Sequence, residues 1–111
     1  MPFINTKVNF PIEKKELTEV KNRLGNAMHL LGKSENYLML DFEDKRQMFF
    51  GGKNDFKMAL VEIKVFGSLP DCSRMTEEVT DIFSEVFGID PDNIYVKYEE
   101  CFNWGMGGRN F

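Results

Sequence analysis

Histidine, cysteine and basic charge are all scarce in this chain of 111 residues. His29 is the single histidine, and it has no partners in sequence that would make a Ser-His-Asp set. A helix-terminal role suits it better than catalysis. Cys72 and Cys101 are the only two cysteines and form neither a CxxC nor a zinc-ligand spacing. They read as two reduced thiols, the usage of a cytoplasmic protein. No apolar run approaches the ~20 residues that span a bilayer, so membrane insertion is not expected. The opening Met1-Pro2-Phe3-Ile4-Asn5-Thr6-Lys7 has no basic stretch leading into an apolar one, so no signal peptide is expected. Fourteen Lys and Arg stand against 18 Asp and Glu, a net charge of -4, the wrong sign for a nucleic-acid binder. The stretch Ala59 to Phe66 also lacks the basic, aromatic strand signature of an RNA-binding ferredoxin-like module. There is no phosphate loop, and Gly105-Met106-Gly107-Gly108 opens no helix.

What is present is a regular alternation of periods over one domain, residues 1–111, with no linker and no low-complexity segment. Phe3 to Val8 alternates as a strand, with Ile4, Thr6 and Val8 on one side. Pro11 suits the first turn of a helix. Between Ile12 and Leu31 the residues Leu17, Val20, Leu24, Ala27, Met28 and Leu31 form one apolar helical stripe, which Gly32 ends. Tyr37 to Glu43 and Ala59 to Phe66 alternate again, with polar turns and Phe49-Phe50-Gly51-Gly52 between them. Asp71 or Ser73 can cap a second helix, with a stripe of Met75, Val79, Ile82, Phe83 and Val86 and a stop at Gly88. Ile94 to Glu99 is a further strand, followed by a glycine-rich tail.

The order strand-helix-strand occurs twice, with the glycine stops and following strands at matching places. A duplicated β-α-β unit is the simplest reading. It predicts an α+β fold: a four-stranded mixed sheet with both helices on one face. The other face would carry Asn5, Lys7, Asp41, Glu43, Glu62, Lys64, Lys97 and Glu99 together with Phe3, Tyr37, Met39 and Tyr95. Such a face is either solvated or partly covered by another subunit.

Pro2 follows the initiator methionine, which is normally removed before so small a residue. Removal would leave a secondary amine at the head of the first strand. An α-amine titrates near ~8, and a nearby cation or apolar burial lowers that value, giving a free base at neutral pH that can move a proton. On these first residues alone, Pro2 is equally an ordinary second residue.

The sequence resembles the macrophage migration inhibitory factor family of the tautomerase superfamily. The resemblance rests on an ordered set of short pieces over the whole chain. They are Met1-Pro2-Phe3-Ile4, Gly32-Lys33, Tyr37, Phe50-Gly51-Gly52, Gly67, Pro91-Asp92-Asn93-Ile94-Tyr95-Val96, and Asn103-Trp104-Gly105-Met106-Gly107-Gly108-Arg109-Asn110-Phe111. It implies a homotrimer with short extra strands and active sites between subunits. It also implies a keto–enol tautomerase that acts on small aromatic 2-keto acids or enols, of phenylpyruvate or dopachrome type, without a cofactor. Pro2 would be the general acid/base. Lys33 would hold the substrate carboxylate, although a lysine at a helix C-terminus also answers the macrodipole. Phe66 would lend an apolar wall, or simply pack in its strand. Tyr37, and Tyr95 from the adjacent subunit, would stand at the pocket rim or serve as plain interface residues. Trp104, Met106 and Phe111 would line the mouth, or pack between subunits.

Three departures stand out. Lys97 replaces a frequent asparagine; it can reach a substrate carboxylate, or it can pair with Glu62 or Glu99, the reading preferred here. Met106 stands where many members have a larger aromatic residue. The CxxC of vertebrate members is replaced by Lys57-Met58-Ala59-Leu60, so thiol–disulfide chemistry of that kind is not supported. The resemblance leaves an alternative to the enzyme: a cytokine-like protein, released by a route without a signal peptide, that binds a cell-surface receptor.

Overall fold

A computed structural model describes all 111 residues. Strand β1 (Pro2–Val8) leads to helix α1 (Lys14–Ala27) and strand β2 (Met39–Glu43). Strand β3 (Ala59–Phe66), helix α2 (Ser73–Phe87) and strand β4 (Ile94–Cys101) repeat the pattern. The sheet order is β2-β1-β3-β4. Within each unit the strands are parallel, and the two units meet through the antiparallel pair β1–β3, running from Pro2 opposite Val65 to Val8 opposite Ala59. The duplicated unit, the mixed sheet and the two helices on one face are therefore as the periodicity predicts. Two two-residue strands, β5 (Gly105–Met106) and β6 (Arg109–Asn110), make a small hairpin in the tail. No helix is long and apolar enough to cross a membrane.

The alternation sends Ile4, Val8, Val61, Ile63 and Val65 toward the helices, where they are buried with Val20, Leu24, Met75, Val79, Ile82 and Phe83. Burial of this kind is the main driving force for the fold, at roughly 25 cal/mol per Å² of apolar surface. Tyr98 ties the last strand to the second helix, with its hydroxyl 2.7 Å from Thr76 Oγ1.

Several local expectations are corrected. Helix α1 begins at Lys14, with Glu16 closing back on the Glu13 amide, so Pro11 lies before the helix and not in its first turn. Leu17 is 37% exposed, and Ile12 instead packs against the core. The end of the apolar stripe, Met28–Leu31, tightens into a 3₁₀ turn before the left-handed Gly32. Tyr37 belongs to a 3₁₀ turn (Glu35–Tyr37) built on Ser34, whose hydroxyl accepts from the Asn36 amide, so β2 starts only at Met39. In α2 it is Phe87, not Val86, that is fully buried, and Cys72 occupies the cap position while Asp71 binds the Ser73 amide and hydroxyl.

Candidate active site

The site is built around one peptide at the end of β3. Phe66 is the last residue of the strand, and Gly67 follows with φ 87°, a left-handed turn that favours glycine. The turn carries the chain away, and Gly67 bonds across to the Cys101 carbonyl. Both backbone groups of Phe66 are thereby left for other partners. Its amide donates to the Met1 carbonyl at 3.2 Å, and its carbonyl accepts from Lys33 Nζ at 3.1 Å. One residue thus clips down the start of the chain and the lysine beside it. Lys33 can reach because it directly follows Gly32, where the chain leaves its turn.

The amine of Met1 is held below its usual value, first by burial and then by the Lys33 charge. Next to it lies a cavity of about 360 Å³ lined by Met1, Pro2, Phe3, Tyr37, Met39, Trp104, Gly105 and Met106. The lining is mainly apolar, and Lys33 supplies a positive charge close to the chain start. The pair Phe3 and Met39 faces across the β1–β2 register, which places both on the cavity wall. Sequence reasoning put them on the outer sheet face but not in the site; the signal available was their direct pairing once β1 and β2 are parallel neighbours.

The remaining candidate residues fall into two groups. Phe111 meets Phe66 in a tilted contact with ring centroids 6.1 Å apart, and its amide donates to the Trp104 carbonyl, which closes the tail hairpin beside the cavity. Tyr95 and Lys97 lie elsewhere. Pro2 is opposite Val65, which pairs with Glu100, whereas Tyr95 pairs with Leu60. At ~3.3 Å per residue, Tyr95 is roughly 16 Å along the sheet from Pro2. Within one chain, Tyr95 does not join the cavity. His29 is also remote, with Nδ1 2.8 Å from the Asn26 carbonyl oxygen on the helical side.

Lys97 sits in an ion-pair network on the outer face. It is 3.7 Å from Glu62 and 3.4 Å from Glu99; Lys7 is 3.0 Å from Glu62, and Lys64 is 3.9 Å from Glu99. The hydrogen bond from Lys7 is the main cause that holds the Glu62 carboxyl below its usual range, with Lys64 and Lys97 adding to it. The native state therefore binds fewer protons than the unfolded chain as the pH falls below the ordinary Glu value of about 4.3. This contribution is full above that value and is lost as the pH drops through the depressed one. Replacing Glu62 with Gln should flatten the acid limb of stability, so that wild type loses more than the variant between about pH 5 and about pH 3. Urea midpoints at the two pH values check this; parallel losses in both proteins would reject the role of the network.

Comparison with known proteins gives the arrangement a family. The family model described as macrophage migration inhibitory factor matches residues 1–110. The crystal structure of Leishmania major MIF2 is 27% identical, with a TM-score of 0.91, covering 100% of this chain and 97% of that one. The macrophage migration inhibitory factor homologue from Prochlorococcus marinus is 26% identical, with a TM-score of 0.86 and 98% of each chain covered. Pt0534, solved after inactivation by 2-oxo-3-pentynoate, shares the fold at 11% identity and a TM-score of 0.84, over 96% of this chain and 92% of that one. No curated protein matches the chain by sequence. The match along the chain and the shared fold agree from the first strand to the tail hairpin: the chain belongs to the macrophage migration inhibitory factor family, in the tautomerase superfamily.

Proposed function

We propose that this protein is a keto–enol tautomerase of small aromatic 2-oxo acids, with the Pro2 amine, freed by removal of Met1, as its acid/base. The observation that carries the reading is the place of Pro2: it lines an apolar cavity and stands opposite Val65, while the next residue, Phe66, holds Lys33 Nζ on its carbonyl, a contact that does not depend on Met1. Lys33 attracts the carboxylate of the substrate and keeps the amine unprotonated. The free amine takes the proton from the enol oxygen, the C=C pair reaches out to the resulting ammonium, and that proton ends on carbon as the ketone. In reverse, the amine takes the proton from carbon and returns it to oxygen. No other group needs to change its charge over the cycle.

Tyr37, Trp104 and Met106 form the wall that excludes water, with Phe66 and Phe111 behind it. Tyr95 enters the site from a second copy of the chain. Tyr37, Met39, Phe49, Tyr95 and Phe102 are all exposed large apolar residues in the single chain, more than an isolated sheet face needs. A homotrimer with sites between its subunits would cover them. In it Lys97 stays with its two glutamates, away from the carboxylate.

The test is phenylpyruvate tautomerisation by protein whose loss of Met1 is proven by intact mass and whose assembly is proven by light scattering. Catalysis well above the buffer rate is expected. Incubation with 2-oxo-3-pentynoate should add the mass of one reagent to the peptide that begins at Pro2, through addition of the amine to the alkyne. Processed, assembled protein that neither turns over nor labels would overturn the proposal and turn attention to binding partners.

A further inference from the structure

We infer that Phe50 is a positioning residue that fixes the Tyr95 ring for use in the neighbouring subunit's site. The inference rests on the shared site proposed above and adds to it the device that holds its distant member.

Tyr95 is 61% exposed in the single chain, so before assembly only its own chain's neighbours can restrain its rotamer. Here it is not free on all sides. The Phe50 ring lies 5.1 Å from it, at an interplanar angle of 51°, a tilted aromatic contact. Phe50 is itself supported. Its amide and carbonyl both bond to Lys53 across Gly51-Gly52, at 2.8 and 3.1 Å, and its ring rests on Phe56 at 6.5 Å. Phe56 is in turn tied to the body of the protein: its carbonyl accepts from Asn9 Nδ2 at 2.8 Å, while Asn9 Oδ1 accepts from the Met58 amide at 3.0 Å. The segment between β2 and β3 is therefore a bracket running from Asn9 through Phe56 and Phe50 to Tyr95. Nothing in the single chain's cavity uses it, because it stands at the far end of the sheet from Pro2.

A ring that must meet a substrate held by another subunit gains most from being set before that substrate arrives. Ordering it beforehand removes an entropy cost from each binding event and keeps its hydroxyl in one place. Phe50 does this without touching substrate.

The experiment is a double-mutant cycle on processed protein with phenylpyruvate, using Phe50→Ala, Tyr95→Ala and the double variant, with assembly checked for each. Phe50→Ala should lower kcat/KM about tenfold, chiefly by raising KM, and should add almost nothing once Tyr95 is alanine. Phe50→Leu, which keeps bulk but not the ring, serves if the alanine variant does not assemble; Phe50→Tyr should restore activity. Subunits carrying Pro2→Gly, co-expressed with subunits carrying Phe50→Ala, should form some sites with wild-type KM, because the two defects fall in different halves of such sites. Overturning results are an unchanged Phe50→Ala enzyme, an equal loss in the Tyr95→Ala background, or mixed assemblies with no wild-type sites. An inactive wild type would sink the tautomerase reading as well, whereas an active wild type with an indifferent Phe50 would sink this inference alone.

Discussion

Changing Pro2 to Gly in Met-processed protein should cut phenylpyruvate tautomerisation by ~10²-fold or more, the size expected when a positioned acid/base is lost. Gly keeps an amine at the same place in sequence, so the comparison isolates what the ring does. The ring makes the base a secondary amine and fixes its first dihedral, so its lone pair has one direction. Glycine's primary amine rotates freely and must be ordered at every turnover. The strand itself should survive, since the anchor is the β1–β3 ladder and not a Pro2 side-chain contact. Retention of Met1 should be as damaging, because the Pro2 nitrogen is then an amide with no basic lone pair. A retained Met1 is tied to the end of β3, its carbonyl accepting from the Phe66 amide. Intact mass of each sample decides which case is being measured; high activity in protein proven to keep Met1 would remove Pro2 from the mechanism. The pH profile has a definite sign. Burial and Lys33 both lower the Met1 amine; a Pro2 amine one residue along meets the same cation and the same apolar surroundings, so the acid limb of kcat/KM should lie below the ordinary α-amine value of ~8. Replacing Lys33 with Ala should move that limb upward, whatever it also does to carboxylate binding.

Much of this architecture is readable from period alone, since β1, β3, β4 and the two helices each bury one regular face. The misreadings sit where local hydrogen bonds override the period. Tyr37 alternates with Leu38 and Met39 on paper, yet the Ser34 hydroxyl and the Leu38 amide bond to Glu35 bend it into a turn. Leu17 fits the helical stripe, but it stands in the first turn of α1, which starts only at Lys14, and is left more than a third exposed. The site was legible in a different way. Pro2, Lys33 and the tail residues could be named from their resemblance to a family, but no periodicity joins residues so far apart. What brings Lys33 to the head of β1 is the Phe66 carbonyl, next to the Val65 that Pro2 faces, and a backbone carbonyl has no letter in the sequence. The same holds for Phe3 and Met39, which meet only because β1 and β2 are parallel neighbours in that register.

The largest stability loss is expected at Phe83. It is 0% exposed and stands edge-on to Phe87 with centroids 5.5 Å apart; Phe87 in turn meets Phe10 at 5.3 Å. Phe83→Ala removes a ring from a closed space whose lining is rigid sheet on one side and helix on the other. Such truncations cost ~3–5 kcal/mol in transfer and cavity terms together. Against a total of ~5–15 kcal/mol for a domain, that is a large share. Leu17→Ala, on the same two-helix layer but 37% exposed, should cost under ~1 kcal/mol. Chemical unfolding of both variants at equal protein concentration, which holds any assembly term fixed, measures the contrast. Similar midpoints would mean that the core around α2 collapses freely and that burial there says little about energy. The direction in which the damage spreads is set by the aromatic chain. Phe83, Phe87 and Phe10 run toward the C-terminal end of β1, where Lys57 lies over the Phe10 ring and donates to the Phe87 carbonyl. Pro2 is at the other end of the same strand. A Phe83→Ala protein kept well below its melting point should therefore retain a working Pro2, and any early kinetic sign of loosening should come from the Phe56–Phe50–Tyr95 bracket.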